Sequence, residues 1–215
     1  MHLRRTKLDA NRELVEAAQG NPDATRAWTE YHAFVERAIA LSIARAGTGF
    51  YLDLHGHGHA IPRLELGYLL SSSELGQTDG VLNVNGAGAT SSLRLLLGRA
   101  TASFAEILRG PTSLGGFLMG GPGGSAGITS VPSPAAPSPG QDPYFNGGYS
   151  TERHTAGLPG LQIETHFTGV RESAASRADF GGRLADAVAR FLQMHAGLTV
   201  QPDAKPFSPP GHPSA

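Results

Sequence analysis

Apolar and polar positions alternate with a period of two in two stretches of this chain and recur at helical spacing in three others. In Gly49-Phe-Tyr-Leu-Asp-Leu-His55, the residues Phe50, Leu52 and Leu54 fall on one side, with Tyr51, Asp53 and His55 on the other. That is the period of a strand, so Asp53 and His55 point the same way, although a spacing of two residues is not enough to claim a direct bond between them. Leu161-Gln-Ile-Glu-Thr-His-Phe167 repeats the pattern: Leu161, Ile163, Thr165 and Phe167 share one face, Gln162, Glu164 and His166 the other. Residues 22–46 predict a helix, because Asn21 can cap it, Pro22 suits its first turn and Trp28, Val35, Ile39 and Ile43 recur at near-helical spacing before Gly47 and Gly49. A second helix is expected over 90–109, capped by Thr90, carrying Leu93, Leu97, Ala100, Phe104 and Leu108 on one face and ended by Gly110-Pro111. A third, about 174–195, starts after Ser173 and buries Phe180, Leu184, Val188 and Phe191.

Helices alternating with strands predict an α/β sheet covered on both faces, in a single domain over residues 1–200. From 115 to 148 the chain is dominated by Gly, Pro and Ser, which predicts a long surface loop or lid without a core of its own. No Gly-Lys-Ser/Thr ending makes it a phosphate loop. The proline-rich tail, 201–215, is expected to be disordered, and no internal repeat is visible. Catalytic groups of such sheets collect at the carboxyl ends of strands, where His55 and Glu164 lie.

Composition narrows the chemistry. The 215 residues carry 17 Lys and Arg against 18 Asp and Glu, so no chain-wide basic surface exists to meet nucleic acid or an anionic membrane. No apolar run approaches the roughly 20 residues of a membrane span. The basic N-terminal residues lack the apolar stretch of a signal peptide, so nothing in them directs export and the cytoplasm is the default compartment. With no cysteine, disulfides, thiolate nucleophiles and Cys-ligated metals are excluded, and any metal must sit on His, Asp or Glu. Nine histidines are present, and three of them fall in His55-Gly-His57-Gly-His59. Imidazoles separated by glycines suit an ion such as zinc, with His55 held rigidly by the strand and His57 and His59 in the following loop. A loop that only makes hydrogen bonds is the alternative.

Glu164 is a carboxylate on a strand expected to be buried. It is therefore paired with an arginine, bound to a metal, or used as a base. Asn11 and Arg12 supply a fork of donors suited to a small-molecule carboxylate. In Asn146-Gly-Gly-Tyr149-Ser-Thr-Glu-Arg153-His154, paired glycines allow a turn from which Tyr149, Arg153 and His154 reach a ligand.

Taken in order, Leu8-Asp-Ala-Asn-Arg12, Tyr51-Leu-Asp-Leu-His55-Gly, Phe145-Asn-Gly-Gly-Tyr149 and Leu161-Gln-Ile-Glu164 resemble the N-formylglutamate amidohydrolase family, a branch related to the zinc carboxypeptidases. The resemblance implies a phosphorylase/hydrolase-like three-layer α/β/α sandwich with a mixed sheet and a single Zn2+ ion. His55 would match the family's third zinc ligand, and Glu164 the carboxylate that activates the zinc-bound water. Asn11 and Arg12 would grip the substrate's carboxylate, with Tyr149 and Arg153 as looser contacts. The family's first two zinc ligands come from a motif upstream of the Asn-Arg segment, where this chain has ten residues and His2 as the sole histidine. The sequence thus reads as lacking the family's first strand and loop, and His57 or His59 is the expected substitute ligand.

The implied reaction is hydrolysis of N-formyl-L-glutamate or a related N-acyl or γ-glutamyl amide. Three alternatives stand beside it: a metal-free binding protein of the same fold that retains carboxylate recognition, metal storage on the His-Gly cluster, and a TIM-barrel amidohydrolase. The barrel needs more strands than the sequence offers.

Overall fold

The computed structural model describes residues 4–120 and 127–199. The 201–215 tail and His2 lie outside the described residues. The strands are β1 (Tyr51–Gly56), β2 (Leu64–Gly67), β3 (Ser130–Val131) and β4 (Gly160–Thr165). They form one mixed sheet in the order β1-β4-β2-β3, with β1 parallel to β4, β4 antiparallel to β2, and β2 parallel to β3. The helices are α1 (Leu14–Ala18), α2 (Pro22–Ala46), α3 (Ser72–Leu75), α4 (Asp79–Leu82), α5 (Ala87–Thr90), α6 (Phe104–Arg109), α7 (Leu114–Leu118), α8 (Tyr149–His154) and α9 (Ala174–Ala196). The chain is therefore of the mixed α/β class. None of its described helices is long and apolar enough to cross a membrane.

The long helices follow their end signals. Asn21 caps α2 by accepting from the backbone N–H groups of Asp23 and Ala24, a contact worth about 1 kcal/mol, and Gly47 closes it in a left-handed conformation. Ser173 caps α9 through Ser176 N–H, and Gly197 ends it. Phe180, Leu184, Ala187 and Phe191 of α9 join Leu66, Leu161 and Ile163 of the sheet in the main core, with Leu93, Leu96, Phe104, Ile107, Leu108, Leu114 and Phe117. Val188 is only partly buried against that core.

Two expectations need correction. The helix expected over 90–109 is broken into α5, a short 3-10 turn over Arg94–Leu96, and α6. Serine side chains compete with the helical backbone here. Ser91 Oγ donates to Gly88 O and accepts from Leu93 N–H, while Ser92 Oγ donates to Gly160 O at 2.6 Å, tying this segment to β4. Ser103 then starts α6 by accepting from Glu106 N–H.

The stretch from 115 to 148 is not a surface loop lacking core residues. It includes most of α7, buried Phe117 and Leu118, and strand β3 with buried Val131. Its glycines permit close packing of α7: a Cβ on Gly115 would stand 2.3 Å from Pro132 O, and one on Gly116 2.5 Å from Pro111 O. The two-residue β3 and four-residue β2 are too short to show a period in the sequence.

On the other side of β1, α2 meets α8 through two buried histidines. His32 Nε2 lies 3.1 Å from Ala10 O, so that nitrogen carries the proton and Nδ1 accepts from His154 Nε2, 2.8 Å away. Burial, then the neighbouring His32 and Arg153, push the His154 pKa down to about 4, and burial lowers that of His32 as well. The folded chain therefore refuses protons that the unfolded chain accepts below about pH 6.5, and the pair costs stability as pH falls from there toward 4. Replacing His154 with Gln is expected to flatten the fall of the melting temperature over that interval, which thermal unfolding across the pH range would measure. An unchanged slope would remove the pair as its cause.

Candidate functional site

Register decides which side chains meet on the sheet. His55 of β1 is opposite Glu164 of β4, which is opposite Glu65 of β2. One step back, Asp53, Gln162 and Gly67 form a second row on the same face. The intervening Leu54, Ile163 and Leu66 face the other way, where the latter two are buried and Leu54, on the edge strand, is exposed. One face of the sheet is thus polar, with Glu65, Glu164 and Gln162 buried in it.

His55 and Asp53 are bonded directly, Nε2 to Oδ1 at 3.0 Å, a contact that the two-residue spacing alone does not imply. Their side chains are long enough to close the gap between alternate residues of one strand. The Asp53 carboxylate raises the His55 pKa against the opposing effect of burial. His55 Nδ1 faces Arg5 Nη2 at 3.5 Å. A guanidinium only donates, so this contact belongs to the neutral ring, whose Nδ1 then presents its lone pair.

Glu164 has no arginine partner among the described residues. Its Oε1 accepts from Gln162 Nε2 at 3.0 Å, and burial raises its pKa while His55 and His57 pull it down. Three buried oxygens on this face have no hydrogen-bond partner: Asp53 Oδ2, Gln162 Oε1 and Glu164 Oε2. Such orphaned acceptors are costly and mark a face that takes a donor, a proton or a cation.

The segment before α8 crosses the same face where the sheet lacks a side chain. A Cβ on Gly67 would lie 2.5 Å from Gly147 N, so glycine is needed for the crossing. Gly148 sits against both the Asn11 amide and Gln162 Oε1, and Asn11 Oδ1 accepts from Ser150 N–H at 2.7 Å. Asn11 is thereby brought to the edge of the polar face. Arg12 is not: its side chain is exposed and paired with Glu16 at 3.2 Å and Asp9 at 3.7 Å. Arg153 and Tyr149 are bonded to each other at 3.1 Å, and Arg153 also holds Glu36 and lies over the Trp28 ring. The described contacts place this pair against α2 instead of against His55 and Glu164.

His57 and His59 leave the end of β1 and turn toward β2. His57 Nε2 donates to Arg63 O at 2.7 Å, and its Nδ1 accepts from His59 N–H at 3.1 Å. His59 Nδ1 lies 2.8 Å from Glu65 Oε1. Among the described residues, His57, His59 and Glu65 are the one group of three potential ligands with atoms within 4.8 Å of one another. Glu65 went unnoticed in the sequence because a lone acid in Leu64-Glu-Leu-Gly67 carries no periodic signal. Its position just after the His-Gly run is the hint that was available.

A catalytic zinc takes three protein ligands and a water. Around His55 the described residues offer one imidazole lone pair, and no three-ligand group includes it. The described residues do not fit a zinc centred on His55. They do fit a charge-coupled acid/base pair, with His55 backed by Asp53 and set beside Glu164. Changing Asp53 to Asn is expected to lower the His55 pKa, which an NMR titration of its ring protons would follow. An unmoved titration would show that the carboxylate does not govern it. No family model, no curated protein and no solved structure matches this chain.

Proposed function

We propose that the polar sheet face is the active site of an amidohydrolase that cleaves N-formyl-L-glutamate or a related N-acyl or γ-glutamyl amide. The architecture in this reading is the three-layer α/β/α sandwich of the resemblance. The observation that carries it is the side-by-side placement of His55 and Glu164 at the carboxyl ends of parallel strands, with an unpartnered carboxyl oxygen on Glu164.

Ionised Glu164 takes a proton from water as the water oxygen bonds to the amide carbon and the carbonyl electron pair moves onto oxygen. His55, whose protonated form Asp53 favours, gives up its Arg5 contact on taking a proton at Nδ1 and faces that oxyanion as an imidazolium. When the C–N bond breaks, the carboxyl proton of Glu164 passes to the leaving nitrogen, releasing the acid and the free amine. A base whose pKa is lifted by burial is better matched to this two-way transfer than an exposed carboxylate. Asn11 contacts the substrate's carboxylate, and Arg12 joins it by exchanging Asp9 and Glu16 for the ligand. Tyr149 and Arg153 are outer contacts. No step passes through zinc at His55.

A metal-free binding protein is the second reading, favoured by the Arg5 guanidinium, which faces the imidazole nitrogen that the first reading turns toward the oxyanion. Turnover of N-formyl-L-glutamate separates the two. Glu164→Gln is expected to reduce kcat by about 10²-fold or more with little change in melting temperature. In the native enzyme, activity should fall on the acid side at a pH above the ordinary carboxylate range and fall again as His55 deprotonates. Full turnover by Glu164→Gln would exclude this base. Tight binding of N-formyl-L-glutamate without turnover by the native chain would favour the binder.

A further inference from the structure

We infer that His57, His59 and Glu65 form a binding site for one transition-metal dication, set beside the acid/base pair and separate from His55. This inference stands independently of the amidohydrolase reading. Its first support is the donor set. Two imidazoles and one carboxylate are a combination that zinc accepts, with the fourth position left to water. The three ligating atoms already lie within 4.8 Å of one another, and the shortest separation, His59 Nδ1 to Glu65 Oε1, is 2.8 Å. Two ligands about 2.1 Å from one ion stand roughly 3.4 Å apart in a tetrahedron, so a small opening of this pair admits it.

The second support is that each ligand is fixed by a contact that leaves a ligating atom to the cluster. His57 is held through Nε2–H on Arg63 O, so its Nδ1 carries the lone pair. Glu65 is held through Oε2, which accepts from Phe145 N–H at 2.9 Å, leaving Oε1 for the ion. The His59 ring stacks on Phe145 with centroids 4.7 Å apart and planes 14° from parallel. Such outer contacts, which set a tautomer and aim a ring, are what distinguish metal ligands from residues that merely lie close together.

Burial and charge fit as well. Glu65 is fully buried and His57 nearly so, whereas the His59 side chain is about one-fifth exposed and gives the ion a way in. Among the described residues Arg63 is the guanidinium paired with Glu65, with Nε 3.8 Å from Oε1. Arg63 also holds Asp142 at 3.5 Å and Pro143 O at 3.1 Å, so it keeps partners if an ion takes over the carboxylate.

Binding has a definite proton balance. The proton between His59 Nδ1 and Glu65 leaves as the ion enters. Neutral His59 recovers one at Nε2 by tautomerising, and an imidazolium His59 releases one to solvent. His57 exchanges the His59 N–H bond for the ion and loses no proton.

The test is titration of the metal-free full chain with Zn2+ by calorimetry and with Co2+ by visible absorption. One ion per chain is expected, with the intense visible bands of four-coordinate cobalt. His59→Ala and Glu65→Gln should each weaken binding by about tenfold or more, while His55→Ala should leave it within a few-fold. Because Glu65 is buried, its variant is judged only if its melting temperature shows it folded. His59→Ala, at a partly exposed position, keeps the test decisive by itself. No binding at micromolar metal, or binding indifferent to His59→Ala, would overturn the site. Binding lost in His55→Ala and kept in His59→Ala would overturn it too and would restore the zinc position implied by the resemblance. Neither result decides whether Glu164 acts as a base, which the turnover measurement alone reports.

Discussion

Glu65 and Glu164 stand directly opposite each other on neighbouring antiparallel strands, both buried, and the polar half of the molecule is arranged around that repulsion. Two adjacent carboxylates in a poorly solvated place cannot both be ionised without compensation. The compensation is unequal. Glu65 receives His59 on one oxygen, a backbone N–H on the other and Arg63 beyond. Glu164 receives one amide hydrogen and is left with a bare oxygen and a raised pKa. The face therefore combines a well-anchored carboxylate with one that has an unpartnered oxygen and a pKa raised by burial.

The surrounding chain segments follow from the same requirement. The His-Gly run leaves β1 and folds back toward β2 because His59 must reach Glu65 and His57 must reach the carbonyl of Arg63. The segment before α8 lies across the sheet at Gly67, where no side chain obstructs it, and delivers the Phe145 N–H to Glu65. It also brings Gly148 against Asn11 and Gln162, joining the N-terminal segment to the polar face. The neutral His32–His154 pair fixes that N-terminal segment a second time, through Ala10. The histidine pair and the polar face thus share one structural support.

In the proposed reading Asp53, His55 and Glu164 move protons, and in the inferred metal site His57, His59 and Glu65 hold a cation. They are contiguous because Glu164 lies between His55 and Glu65 in the same row. A cation at the second unit would lower the Glu164 pKa from a short distance, so the two would not titrate independently.

Local sequence determined what depends on local periodicity. The alternation in β1 and β4 put Asp53 and His55, and Gln162 and Glu164, on shared sides, and the cap residues Asn21 and Ser173 marked the two long helices. Both signals come from residues within a turn or two of each other. Register across the sheet is not local: the pairing of His55 with Glu164 and of Glu164 with Glu65 depends on where strands meet, so Glu65 entered the site only through tertiary structure. The break in the expected helix over 90–109 was hidden for the same reason, since Ser92 is claimed by the carbonyl of Gly160, 68 residues away. The glycine-rich 115–148 stretch read as a loop because composition reports intrinsic preference, whereas Gly115 and Gly116 are there to let backbones approach, a need that exists only once the chain is packed.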